Sequence, residues 1–227
     1  MTLMTQDALF RLNDVKRRIK ATLEDSGRAE SSAQLVVVSK TFSEEDIIPL
    51  LQAGQRKFGE NRVQESRAKW PGLKQKFPDV ELHLIGPLQS NKVEEAVAMF
   101  DVIQSVDRPK IAEAIAKASK LQRRKIQCMV QVNIGSEPQK AGVEPDDADT
   151  FIRSCLDGQK LNIIGVMCIP PADKDPVPFF ERLREIANRN RVRDISMGMS
   201  GDYELALQHG ATMVRVGSAI FGTRQSH

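Results

Sequence analysis

The sequence predicts an α/β fold of the (β/α)8 type, a single TIM-type barrel with one extra helix at its N-terminus. Three observations carry this. Short runs of aliphatic and β-branched residues recur eight times along the chain. Most are followed by a stretch of helical periodicity, which is the alternation of a parallel sheet. The 227 residues suit one barrel-sized domain. A doubly wound open sheet is the competing arrangement, and pattern alone leaves both standing.

The elements follow in order. Leu9, Leu12, Val15, Ile19 and Leu23 recur at helical spacing and predict an amphipathic first helix over about residues 5–26. The barrel is then expected over about 34–224, within one domain spanning 1–227. Its first strand is Leu35-Val36-Val37-Val38, and Ser43 with Asp46 gives a capping-box pattern before a helix over Glu44–Ala53. The next strands are Lys57–Gly59, Leu82–Ile85, Val102–Ser105 and Ile126–Val132, and the last three are Ile163–Met167, Asp194–Met197 and Met213–Val216. Helical patterns cover Lys92–Phe100, Pro109–Leu121, Asp146–Leu156, Val177–Arg189 and Asp202–His209. Gly54, Gly158 and Gly210 stand where helix C-caps belong. The proline-rich piece from Pro170 to Pro178 reads as a loop after strand six.

Composition narrows the function classes. Net charge is +3 and aromatics are 5%, a poor platform for stacking on nucleic-acid bases. The three cysteines, Cys128, Cys155 and Cys168, form no CxxC motif and read as reduced thiols in a cytoplasmic protein. The three histidines lack metal-ligand spacing, so no metal site is expected. No apolar run approaches membrane-spanning length, and no signal-peptide pattern opens the chain.

The chemistry begins at Lys40, which closes the first apolar strand. Burial disfavours an ammonium, so a lysine there is expected to be a nucleophilic amine that takes an aldehyde as a Schiff base. Barrel sites sit at the C-terminal ends of strands. Asn61 after strand two, His83 on strand three, Asn133 and Lys140 after strand five and Met167 on strand six would converge there. Any one of them alone reads more often as a cap or turn residue. In Ser196-Met197-Gly198-Met199-Ser200-Gly201-Asp202 a strand passes through glycines into a helix, and Arg215-Val216-Gly217-Ser218 ends strand eight. Backbone N–H groups and the Ser200 hydroxyl would suit a phosphate after strands seven and eight. The bland alternative is an N-cap serine with turn glycines. An aldehyde together with a phosphate suggests pyridoxal 5′-phosphate (PLP). Arg215 shares strand parity with Gly217, so it points into the barrel mouth, either toward a pyridine nitrogen or into an ion pair with phosphate or carboxylate.

Val38-Ser39-Lys40, Phe58-Gly59-Glu60-Asn61, the run His83–Lys92, Ser196-Met197-Gly198-Met199-Ser200 and Val214-Arg215-Val216-Gly217 resemble the PLP homeostasis protein family, a single-domain group related to the N-terminal barrel of alanine racemases. The resemblance implies a PLP aldimine on Lys40, a phosphate held by Ser200 and the amides of Gly217 and Ser218, and Arg215 at the pyridine nitrogen. Asn61, His83 and Met167 would line the pocket. Arg62 departs from the family, where many relatives carry tyrosine, and the roles of Arg62 and Lys140 stay open.

A racemase of this fold, by the same resemblance, takes its second acid/base from a tyrosine on a β-domain. This chain stops at residue 227 just after strand eight, and its one tyrosine is Tyr203. The expectation is therefore a monomeric cytoplasmic PLP carrier in vitamin B6 homeostasis and amino-acid balance, without strong catalysis, with apo PLP enzymes as its recipients and with neither nucleic acid nor membrane as a partner. A weak alanine-type racemase is the alternative. A phosphate-ligand or RNA-binding module would explain the basic charge but not the lysine.

Overall fold

A computed structural model describes residues 3–222, with side chains from residue 6 onward. The expected barrel limit at 224 lies outside the described residues. Eight parallel strands close into a barrel in sequence order. They are β1 (Gln34–Val38), β2 (Lys57–Glu60), β3 (Glu81–Leu84), β4 (Val102–Val106), β5 (Gln127–Val132), β6 (Asn162–Cys168), β7 (Asp194–Ser196) and β8 (Met213–Val216). Closure is made by β8 pairing with β1, from Gln34 opposite Met213 to Val37 opposite Val216. The open sheet is thereby excluded.

The helices are α1 (Leu3–Asp25), α2 (Glu44–Gln52), α3 (Val63–Lys76), α4 (Val93–Met99), α5 (Pro109–Gln122), α6 (Ala148–Arg153), α7 (Val177–Arg189), α8 (Tyr203–Gln208) and α9 (Ser218–Phe221). The stripe on α1 is buried at Leu12, Val15, Ile19 and Leu23. It packs on α9, α8 and α2, across the seam where β8 meets β1. Arg11 extends this docking by donating through Nε to Ile220 O at 2.6 Å. The Ser43–Asp46 capping box forms as expected at the start of α2.

Two local expectations are corrected. Helix α3 lies outside the helical patterns read from the sequence. Proline inside a helix costs about 3 kcal/mol, yet α3 continues through Pro71. Burial of Val63, Trp70 and Leu73 supplies the tertiary compensation, with Trp70 tilted on Phe58 at a centroid distance of 5.2 Å. Gly158 is not a left-handed cap. It ends a π-helical turn, Ser154–Gly158, and the left-handed conformation falls on Lys160 (φ 55°). Gly54 and Gly210 do take positive φ, at 87° and 97°.

Strand alternation divides the core. Outward-facing residues such as Val37, Phe58, Leu84, Val130 and Val216 join one large cluster with the helices. Inside the barrel, Val36, Val102, Met129 and Met213 form a small apolar cluster of their own. The remaining interior carries Gln104, His83, Ser196 and Arg215, all buried, where barrels usually place branched aliphatics. Buried polar groups are costly unless satisfied, so this interior calls for a hydrogen-bonded arrangement.

Candidate functional site

A cavity of about 310 Å³ opens at the C-terminal mouth of the barrel. Its walls come from many different loops. Val38 ends β1 and Lys40 follows it, Asn61 follows β2, Ile85-Gly86-Pro87 follow β3, and Gln131, Asn133, Lys140 and Ala141 belong to β5 and its loop. Ile169, Met199 and Arg215 complete it. Gly86 is needed for this assembly, because a Cβ there would stand 2.2 Å from Asn61 O.

Lys40 does not end β1 as expected. The strand stops at Val38, and Lys40 sits in the following turn with its side chain exposed. The correction has a clear origin: the buried part of the strand signal is Val36-Val37-Val38-Ser39. What is buried lies beneath the turn. Lys69 Nζ donates to Ser39 O at 2.9 Å and to Phe42 O at 3.1 Å, and lies 2.9 Å from Glu60 Oε1. That carboxylate oxygen also accepts from Ser39 Oγ at 2.6 Å and Trp70 Nε1 at 3.0 Å. Burial pushes the Glu60 carboxyl above its ordinary pKa, against the pull of the Lys69 charge. Between Ser39 and Phe42, Thr41 is held at φ 69°, a left-handed position that costs a β-branched residue about 1–3 kcal/mol. Its N–H donates to Glu65. The turn that presents Lys40 is thus strained and clamped from below.

Arg215 is buried in the barrel and reaches the cavity as expected from strand parity. It donates to Ser196 Oγ at 2.7 Å and Cys168 O at 2.8 Å. Ser200 lies beside the start of α9, where its Oγ accepts from the N–H groups of Gly217 and Ala219, each at 3.2 Å. Gly217 packs against the cavity wall, with its would-be Cβ 3.1 Å from Val38 O. Ser218 is exposed next to it. Gly198, at φ 89°, makes the preceding turn, and a Cβ there would meet Ala206 Cβ at 2.5 Å.

Two expected pocket residues are placed elsewhere. His83 is fully buried inside the barrel below the cavity, bonded to Glu81 and Gln104, and it is not one of the cavity walls. Met167 is fully buried on β6, opposite Gln131 in register, and Ile169 two residues on supplies the wall instead. Each is the penultimate residue of its strand and fully buried, and neither lines this cavity. Asn61, Asn133 and Lys140 do line the cavity. Lys140 Nζ is engaged by Pro170 O at 2.9 Å and Glu137 at 2.6 Å. Arg62 is exposed in a neighbouring groove with Gln89 and Lys92. Sequence reasoning missed Gln131, Gln104, Glu60 and Lys69. The signal for the last two was a charged residue on a buried face, Glu60 in β2 and Lys69 on the face of α3 that carries Ser66, Trp70 and Leu73.

Among the described residues no cluster of metal-ligating side chains occurs, and no helix is long and apolar enough to cross a membrane.

The closed parallel barrel belongs to the alanine racemase N-terminal domain class, whose family model matches residues 12–225. Within that class the chain belongs to the PLP homeostasis protein family. It is 36% identical to the pyridoxal phosphate homeostasis protein of Aquifex aeolicus, over 96% of this chain and 99% of that one. Identity to the Escherichia coli K12 protein of the same name is 34%, covering 96% and 97%. Among solved structures, PipY of Synechococcus elongatus with PLP bound superposes with a TM-score of 0.78 at 35% identity, covering 90% of this chain and all of that one. Alanine racemase of Clostridium difficile gives a TM-score of 0.75 at 15% identity, covering 97% of this chain and 58% of that one, a likeness of fold alone.

Proposed function

We propose that this protein binds PLP at the barrel mouth, with Lys40 as its covalent partner, and serves in PLP homeostasis and carriage rather than in rapid turnover. One observation carries the reading: a free-standing amine, a buried guanidinium and an amide–hydroxyl cluster stand at and beside one 310 Å³ cavity. That donor set fits PLP group by group. Bound there, the coenzyme supplies an aldehyde that an amine can take up reversibly.

The residues divide the work. The exposed Lys40 amine meets the aldehyde end, held in its turn by Lys69 and Glu65. Ser200 Oγ, already accepting two backbone N–H groups, keeps its own O–H to donate to a phosphate oxygen. The Gly217 and Ser218 segment at the start of α9 frames the same end, and Arg215 presents N–H groups at the ring end. A permanent cation there donates a hydrogen bond and gives up no proton, which weakens the ring as an electron sink. The described cavity walls contain no tyrosine, histidine or carboxylate. Tyr203 is buried on α8 beneath Arg18, away from the cavity. A two-base amino-acid racemase would need such a second group opposite the lysine, which favours carriage and a contribution to amino-acid balance.

The test is borohydride reduction of the PLP-loaded protein followed by peptide mapping. The label is expected on the Lys40 peptide and absent in Lys40→Ala, which still retains PLP through the phosphate contacts. A label that persists undiminished in Lys40→Ala would move the assignment to Lys140.

A further inference from the structure

The polar residues inside the barrel form one continuous chain. Arg215 donates to Ser196 Oγ at 2.7 Å, and Ser196 Oγ lies 2.7 Å from Gln104 Oε1. Gln104 Nε2 lies 2.9 Å from His83 Nδ1, and His83 Nε2 lies 2.8 Å from Glu81 Oε1. Glu81 is paired in turn with Lys57 at 2.5 Å. The chain runs from the cavity through the barrel to the N-terminal end of β3.

Its direction follows from the donor inventory. An arginine only donates, so Ser196 must spend its own hydrogen on the Gln104 carbonyl. That leaves the Gln104 amide hydrogens for His83 Nδ1, which must be unprotonated. His83 then carries its proton on Nε2 and donates to the Glu81 carboxylate. The reverse amide orientation would leave the serine hydrogen without an acceptor and demand an imidazolium in a fully buried site. Burial holds His83 below its ordinary pKa, and the donated hydrogen bond holds Glu81 down at about 2, so a neutral ring facing an ionised carboxylate agrees with both.

We propose that Glu81, His83, Gln104 and Ser196 are positioning residues that fix the Arg215 guanidinium in the plane and orientation in which it donates to the ring nitrogen of PLP. This rests on the reading of the site above. The guanidinium needs such support because none of its described ion pairs is with a carboxylate, and its partners are a hydroxyl and a backbone carbonyl. A chain of aligned donors polarises link by link and ends on a real negative charge.

The test compares PLP with its analogue in which the ring nitrogen is replaced by C–H. Ser196→Ala and Gln104→Leu are titrated with both ligands. Loss of an aligned hydrogen bond to a charged donor is expected to weaken PLP about tenfold in each variant, with the ring-carbon analogue unchanged. Gln104 is two links from the cavity, so its effect reports the chain and not a direct contact. Equal loss for both ligands, or an effect in Ser196→Ala without one in Gln104→Leu, would overturn the proposal and leave PLP binding intact. A wild-type protein that takes up no PLP would sink both readings. Should Gln104→Leu fail to fold, ¹⁵N spectra of ligand-free wild type decide: a neutral His83 protonated on Nε2 at pH 7 is expected, and an Nδ1–H ring or an imidazolium overturns the chain.

Discussion

Replacing Lys69 by methionine tests the clamp beneath Lys40. The substitution keeps the length of the side chain and removes the ammonium. It deletes hydrogen bonds to Ser39 O and Phe42 O and leaves Glu60 facing only Ser39 and Trp70. Lys69 is 7% exposed and Glu60 0%, so solvent does not replace the lost partner. Breaking a buried pair costs about 3–5 kcal/mol. Glu60 can soften this by taking up a proton, which places the expected loss near 3 kcal/mol at pH 8. For a domain of this size that is a fall of about 6–12 °C in Tm. The loss also has a pH signature. Burial already raises the Glu60 carboxyl in the folded state, and the Lys69 charge is the largest influence opposing it. A carboxyl raised on folding contributes stability that is complete below its unfolded value, near 4.5, and is lost as pH rises through the folded value. Without Lys69 the folded value climbs higher, so the deficit should shrink at pH 5 and grow toward pH 8. Thermal melts of both proteins at the two pH values are the assay. A deficit under about 1 kcal/mol, or one that is the same at both pH values, would refute the clamp. The variant's PLP uptake should also fall, because the turn carrying Lys40 loses its anchor.

Three further outcomes are expected. Ser200→Ala should weaken PLP by about 1.5–3 kcal/mol in a titration, while pyridoxal without its phosphate binds poorly and is insensitive to the change. Incubation with D- or L-alanine in deuterated water should leave Cα unlabelled, and incorporation at about 1–1000 per second would favour a racemase. Cys128, Cys155 and Cys168 are buried, with thiols pushed up to about 12, so a thiol reagent at pH 8 should label them only after unfolding.

The strand pattern was legible because parallel strands buried on both faces are rich in apolar residues, and most of the eight runs carry such a stretch. Helix α3 was not, since Pro71 argues locally against it and only Trp70 packing on Phe58 reverses that. In the site, Arg215 was placed by counting two residues back from Gly217, a parity argument needing no coordinates. His83 and Met167 were drawn to the mouth because sequence gives a residue's strand but not its height in the barrel.

By itself, then, the sequence determined the class of fold, the closing arginine strand and the glycine turn that carries Ser200, all properties of local pattern. The tertiary structure decided which polar residues share the barrel interior. Glu81, His83, Gln104, Ser196 and Arg215 come from four strands, β3, β4, β7 and β8, and meet only inside the closed barrel. It also decided that Lys40 stands exposed while Lys69, twenty-nine residues on in helix α3, lies buried beneath it. The physical reason is common to both: hydrogen-bond satisfaction in a closed interior is a property of the assembled barrel, and no single segment contains it.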